Sequence, residues 1–131
     1  MYTESEASRA MRELLARDKR YHARAYVFVR EAVAYASQVV YATGTHVSGR
    51  ELLEAIRLYA LDRFGLLAEA VFEEWGVRST EDFGEIVFNL IDAEILSKTD
   101  EDSREDFCGV YEFPEVFNAG RYWAEVLETC G

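Results

Sequence analysis

The sequence predicts a mainly helical (α+β) domain whose second half has the order of a winged helix-turn-helix with a short C-terminal β-hairpin. Three observations carry that expectation. Apolar residues recur at spacings of three and four along most of the chain. Capping serines and glycines punctuate these runs. One stretch, Val110-Tyr111-Glu112-Phe113, alternates apolar and polar residues as a strand does.

Each element follows in order. A first helix is expected over about Thr3 to Arg17, with Ala7, Ala10, Met11, Leu14 and Leu15 at helical spacing. Asp18-Lys19-Arg20 breaks it. A second helix is expected from about Arg20 to Tyr41, with Tyr21, Ala25, Phe28, Val29, Ala32, Val33, Ala36 and Val40 as its stripe and Gly44 closing it. Ser48-Gly49-Arg50-Glu51 reads as a capping box, with Val47 placed to staple onto the next turn. Leu52, Leu53, Ile56, Tyr59, Ala60 and Phe64 then share a face, and Gly65 suits the left-handed closing position. Leu67, Val71 and Trp75 mark a shorter helix ended by Gly76.

Ser79 is the expected cap of the next helix, and Glu81 and Asp82 favour its first turn through the helix dipole. Phe83, Ile86, Val87, Leu90, Ile91 and Ile95 form the strongest stripe in the chain. Gly84 interrupts it at a cost of about 1 kcal/mol against alanine, which close approach of a neighbouring element would explain. An acidic loop spans Thr99 to Asp106, and Val110–Phe113 is expected to pair back onto Ile95–Lys98. After Pro114, a terminal helix from about Arg121 to Thr129 is expected to dock Trp123, Val126 and Leu127.

With one proline among 131 residues and half of them apolar, the chain reads as one domain. Residues 1–45 form its N-terminal helices, 46–113 its winged-helix-like part and 114–131 a C-terminal extension. No stretch approaches the ~18–20 uncharged apolar residues of a membrane span. The N-terminal Met1-Tyr2-Thr3-Glu4-Ser5-Glu6 lacks the pattern of a secretory signal, so a cytoplasmic location is expected. Cys108 and Cys130 form no C-x-x-C pair and read as free thiols.

Charge restricts the partners. Residues 1–65 hold 10 basic and 8 acidic residues, whereas residues 66–131 hold 4 and 17. The acidic half should repel phosphates. In a winged helix, Ser79–Ile95 would be the reading helix, yet it carries Glu81, Asp82, Glu85, Asp92 and Glu94 and no Lys or Arg. That argues against DNA. Tyrosines beside Lys19, Arg20, Arg24 and Arg30 leave RNA as a weaker reading.

Three blocks carry a family resemblance. They are His46-Val47-Ser48-Gly49-Arg50-Glu51-Leu52-Leu53, the run from Trp75-Gly76-Val77 to Phe88-Asn89-Leu90, and Asp102-Ser103-Arg104-Glu105-Asp106-Phe107 followed by Val110-Tyr111-Glu112-Phe113. Over residues 20–117 the chain resembles the Minf-type family of uncharacterised bacterial conserved hypothetical proteins. The resemblance implies a bacterial origin. It implies no activity, cofactor or catalytic residue.

Tests for chemistry return little. Neither His22 nor His46 has the Glu three residues earlier that a di-iron bundle site needs, and the cysteines and histidines lack zinc-ligand spacing. An EF-hand started at Asp100 would put Glu105 at the glycine position and Tyr111 at the bidentate Glu. No nucleophile elbow or phosphate loop occurs, so no cofactor or metal is expected. The leading functional reading is a protein–protein interaction or regulatory adaptor module without catalysis, partnered by a protein or another copy of itself. Its candidate contacts are Glu81, Asp82, Glu85, Asp100, Asp102, Tyr26 and Tyr35. The alternative is a ligand-binding protein or enzyme with a pocket near His46, Ser48 and Glu81/Glu85. A nucleic-acid-associated regulator comes third.

Overall fold

A computed structural model describes residues 5–40, 47–96, 103–117 and 127–128. The chain is mainly helical. Helix α1 (Glu6–Arg17) starts at Ser5, whose hydroxyl accepts from the Ser8 N–H at 3.1 Å. It stops at Asp18, within the expected break. Helix α2 (Ala23–Tyr35) starts three residues later than the periodicity suggests, because His22 caps it: Nδ1 accepts from the Arg24 N–H at 3.0 Å. A π-helical turn, Ala36–Val40, extends it.

Helix α3 (Gly49–Phe64) opens on the capping box read from the sequence. Ser48 Oγ accepts from the Glu51 N–H at 3.2 Å, and Glu51 Oε1 accepts from the Ser48 N–H at 3.0 Å. Gly65 closes α3 at φ +55°. A 3₁₀ turn (Gly65–Leu67) leads into α4 (Ala68–Glu74). Helix α5 spans Thr80–Asp92. Ser79 makes no side-chain cap bond there. Asp82 instead ties the first turn back to the preceding link, its Oδ2 accepting from the Arg78 N–H at 2.8 Å.

The β-hairpin is corrected: no strand forms among the described residues. The Val110 N–H donates to the buried Thr80 Oγ1 at 3.3 Å rather than to a strand carbonyl. Phe113, with Pro114 in its first turn, begins the short helix α6 (Phe113–Val116). The alternation reflects side chains turned to the core: Tyr111 is partly buried, Phe113 is buried, and the Tyr111 hydroxyl donates to the Leu53 carbonyl at 2.8 Å. The winged-helix reading of residues 46–113 also loses its wing tip where described. Arg104–Phe107 is a 3₁₀ turn packed on α5 and α3, with Phe107 buried. Nor is α5 an open reading helix. Phe83, Ile86, Val87, Phe88 and Leu90 are all buried.

The core centres on Phe72 of α4, which is fully buried. Its ring centroid lies 5.4 Å from Phe28, 5.1 Å from Phe83, 5.6 Å from Phe113 and 5.5 Å from Phe117. Several of these pairs are edge-to-face, each contributing about 0.5–1.5 kcal/mol beyond area burial. The cluster joins α2, α4, α5 and α6.

Glycine decides two close approaches. A Cβ on Gly76 would stand 2.6 Å from the Arg20 carbonyl oxygen, and this residue also has φ +84°. Only glycine lets the α4–α5 turn touch the α1–α2 link, where the His22 N–H donates to the Trp75 carbonyl at 3.1 Å. Gly84 admits Phe107 in the same way, as its interruption of the α5 stripe suggested.

Candidate functional site

The acids of α5 converge on the α1–α2 link and on the 3₁₀ turn. Glu85 Oε1 accepts from Arg104 Nη1 at 2.7 Å, and its Oε2 lies 3.4 Å from Arg20 Nη2. Arg20 grips Asp18 through two nitrogens, Nη2 to Oδ2 at 2.7 Å and Nε to Oδ1 at 3.1 Å. Asn89 Nδ2 donates to Asp18 Oδ2 at 3.0 Å and to the Tyr26 hydroxyl at 3.1 Å. The Tyr21 hydroxyl donates to Asp82 Oδ1 at 2.7 Å.

This network perturbs its members. The Arg20 guanidinium holds the Asp18 carboxyl well below the usual carboxylate range, with Asn89 and the Arg20 N–H adding to it. Burial pushes the Tyr21 phenol up, and the neighbouring Asp82 carboxylate pushes it further. Tyr26 is likewise raised, chiefly by burial. These groups bond one another across four elements, which makes the network a structural clasp between α1, α2, α5 and the Arg104–Phe107 turn.

The candidate contact residues therefore divide. Asp82 and Glu85 are engaged inside the chain. Glu81 is exposed and accepts from the Thr80 hydroxyl at 3.2 Å. Tyr26 is fully buried and belongs to the core. Tyr35 is half-buried, its ring 5.1 Å from that of Tyr59. The Ser48 hydroxyl is occupied by its capping bond. His46, Asp100 and Asp102 lie outside the described residues, as do the loop 43–46, Trp123, Val126 and Cys130. Cys108 is exposed with a free thiol. Among the described residues no group of three His, Cys, Asp or Glu side chains is arranged to hold a metal ion, and no helix is long and apolar enough to cross a membrane.

The feature that sequence periodicity missed lies on the opposite side of α2. A groove of about 280 Å³ runs between Arg24, Val27 and Phe28 of α2, Arg63 and Phe64 at the end of α3, and Trp75 after α4. Val27, which lines it, is 51% exposed. Leu66 and Leu67, at the foot of α4, are also open to solvent, at 44% and 67%. Leu67 is thus not the core residue its spacing from Val71 and Trp75 suggests. Leu127 is also open to solvent, at 68%, rather than docked. One signal was available for Val27: it falls outside the buried stripe of α2, so an apolar residue there has no core to enter.

Electrostatically the groove carries both signs. Arg63 stacks over the Phe64 and Tyr59 rings, donates to the Tyr59 hydroxyl at 2.8 Å and lies 3.6 Å from Glu31. Two other hollows each set two carboxylates beside one arginine, Glu69 and Glu73 with Arg78 in one, Glu6 and Glu94 with Arg30 in the other. No family model matches the chain, and no curated protein or solved structure matches it.

Proposed function

We propose that this chain is a protein-interaction module without catalysis, and that its contact face is the α2–α4 groove. The observation that carries this reading is exposed Val27 standing beside Phe28, Phe64 and Trp75 in one open groove. Fully burying a Val or Leu side chain is worth roughly 1.5–3 kcal/mol. A partner surface that covered these residues would gain part of that at each position. Aromatic and Arg residues such as Phe64, Trp75, Arg24 and Arg63 are the types that anchor protein interfaces. The occupant that fits is a protein surface with an apolar centre and charges of both signs at its edge.

This reading keeps the interaction module of the sequence analysis and moves its face. Glu85 binds the chain's own Arg20 and Arg104, and Asp82 the Tyr21 hydroxyl, so these two contribute to the clasp first. The resemblance of residues 20–117 to the Minf-type family remains a proposal of relationship and adds no activity. Photo-crosslinking inside cells tests the function directly. A benzophenone amino acid at position 27 or 24 should form a protein adduct, and the same group at exposed Arg50 should form none. Absence of any adduct from both groove positions overturns the reading.

A further inference from the structure

We infer that the occupant of this face is a second copy of the same chain, seated by an antiparallel α2–α2 contact centred on Val27. The inference deepens the interaction-module reading and rests on it. Two observations carry it. The first is the charge pattern along the exposed side of α2. Arg24 stands three residues before Val27, and Glu31 stands four after it. Helical spacing puts all three on one face, and all three line the groove. A two-fold axis through the Val27–Phe28 turn pairs residues whose numbers sum to about the same value. It therefore sets Arg24 of each copy against Glu31 of the other, twice over. A heterologous partner needs no such internal symmetry.

The second observation is the net charge. The chain carries −11, all of the excess lying after residue 65, so two copies repel through surfaces built from that half. The groove face is an exception. Arg24 and Arg63 offset Glu31 there, and exposed Val27 supplies apolar surface between them. Arg30 does not spoil the pairing, because it lines a different hollow with Glu6 and Glu94.

Sedimentation velocity on the purified full chain tests this. The expected result is a species of about 30 kDa, twice 15.0 kDa, that dissociates on dilution. Val27→Glu should weaken the dimer by at least about thirtyfold, as for a central interface residue, with an unchanged circular dichroism spectrum. Val27→Ser, which adds no charge, is the second variant if Val27→Glu misfolds. Arg24→Glu and Glu31→Arg should each weaken the dimer, and the two together should restore it, which only a contact between these positions produces. A monomer at every concentration overturns self-association. So does a dimer indifferent to Val27→Glu and Val27→Ser, or a double variant no stronger than the singles. If the purified chain is monomeric while crosslinks at 27 and 24 still form in cells, the interaction reading stands and the second copy is wrong. If both fail, both are wrong.

Discussion

A Cβ on Gly84 would lie 2.8 Å from the Cβ of Phe107. That contact joins the middle of α5 to the 3₁₀ turn Arg104–Phe107. The same ring lies 3.0 Å from where a Cβ on Gly49, the first residue of α3, would stand. Two helical glycines thus make the slot that a buried phenylalanine fills, and the slot fastens residues 103–117 to the helices.

Gly84→Ala should consequently destabilise the protein although alanine is the better helix former. Propensity alone would stabilise by about 1 kcal/mol. The clash is with a Cβ, which cannot swing aside as a flexible side-chain end does, and overpacking of this kind costs about 1–3 kcal/mol. A net loss in urea denaturation is expected. Phe107→Ala should cost about 3–5 kcal/mol by itself. The double variant should be less unstable than the sum of the two, because the second change removes the Cγ that would stand 2.9 Å from the added methyl and frees the turn to shift away from it, although the Cβ remains. Strict additivity would show that the contact carries no strain.

Glu94→Gly should raise the melting temperature. Glu94 has φ +61° where α5 terminates, and it is the sole non-glycine residue with positive φ among those described. The Ile95 and Leu96 N–H groups both donate to the Leu90 carbonyl there, at 2.9 and 3.2 Å. A side chain in that conformation costs about 1–2 kcal/mol, partly offset by the greater freedom glycine has when unfolded. A net gain of about 0.5–1 kcal/mol is expected from thermal unfolding. An unchanged or lower melting temperature would mean that Glu94 makes a compensating contact.

Acid should weaken the fold through Asp18. Its carboxyl titrates lower in the folded chain than in the unfolded one. Below about pH 4 the unfolded chain takes up this proton first, so stability falls as pH drops through and below that range. Above it the contribution is fully present. Arg20 is about half exposed, so solvent screens the pair and the effect is modest. Asp18→Asn should lower stability at neutral pH and flatten its loss between pH 5 and 3, read from urea midpoints at each pH. Parallel curves for the two proteins would remove Asp18 from the acid response.

Alkali should act through the phenols. Burial raises Tyr21, Tyr26 and Tyr111, with nearby carboxylates adding to the shift in each. Unfolded tyrosines ionise near pH 10. Their contribution to stability is complete below that pH and is lost above it, as the unfolded chain releases protons that the folded chain keeps. Ultraviolet titration of phenolate should show these three ionising only as the protein unfolds. Tyr21→Phe should itself cost about 1–2 kcal/mol, the loss of a hydrogen bond to a carboxylate. Early ionisation of all eight tyrosines would contradict the packing.

Much of the local structure was legible because its causes are local. The Ser48–Glu51 box, the break at Asp18 and the close of α3 at Gly65 each depend on residues within one turn. The misreadings share a different cause. Val110–Phe113 alternates as a strand does, but its backbone partner is the Thr80 hydroxyl, thirty positions away. The α5 acids look like an outward face until Arg20, Tyr21 and Arg104 are seen to reach them from other elements. Of the candidate contact residues, Tyr26 fell in the core because its hydroxyl has a partner there in Asn89.

By itself the sequence determined a mainly helical chain, its caps and breaks, and the concentration of negative charge after residue 65. Periodicity, capping and composition are properties of neighbours along the chain, so they survive without knowledge of the fold. Tertiary structure alone decided which apolar residues the core had room for and which acids found arginines. Phe72 and Phe107 are enclosed, whereas Val27 and Leu67 are left facing water. That sorting depends on how many surfaces each helix has covered, which no single stretch of sequence records.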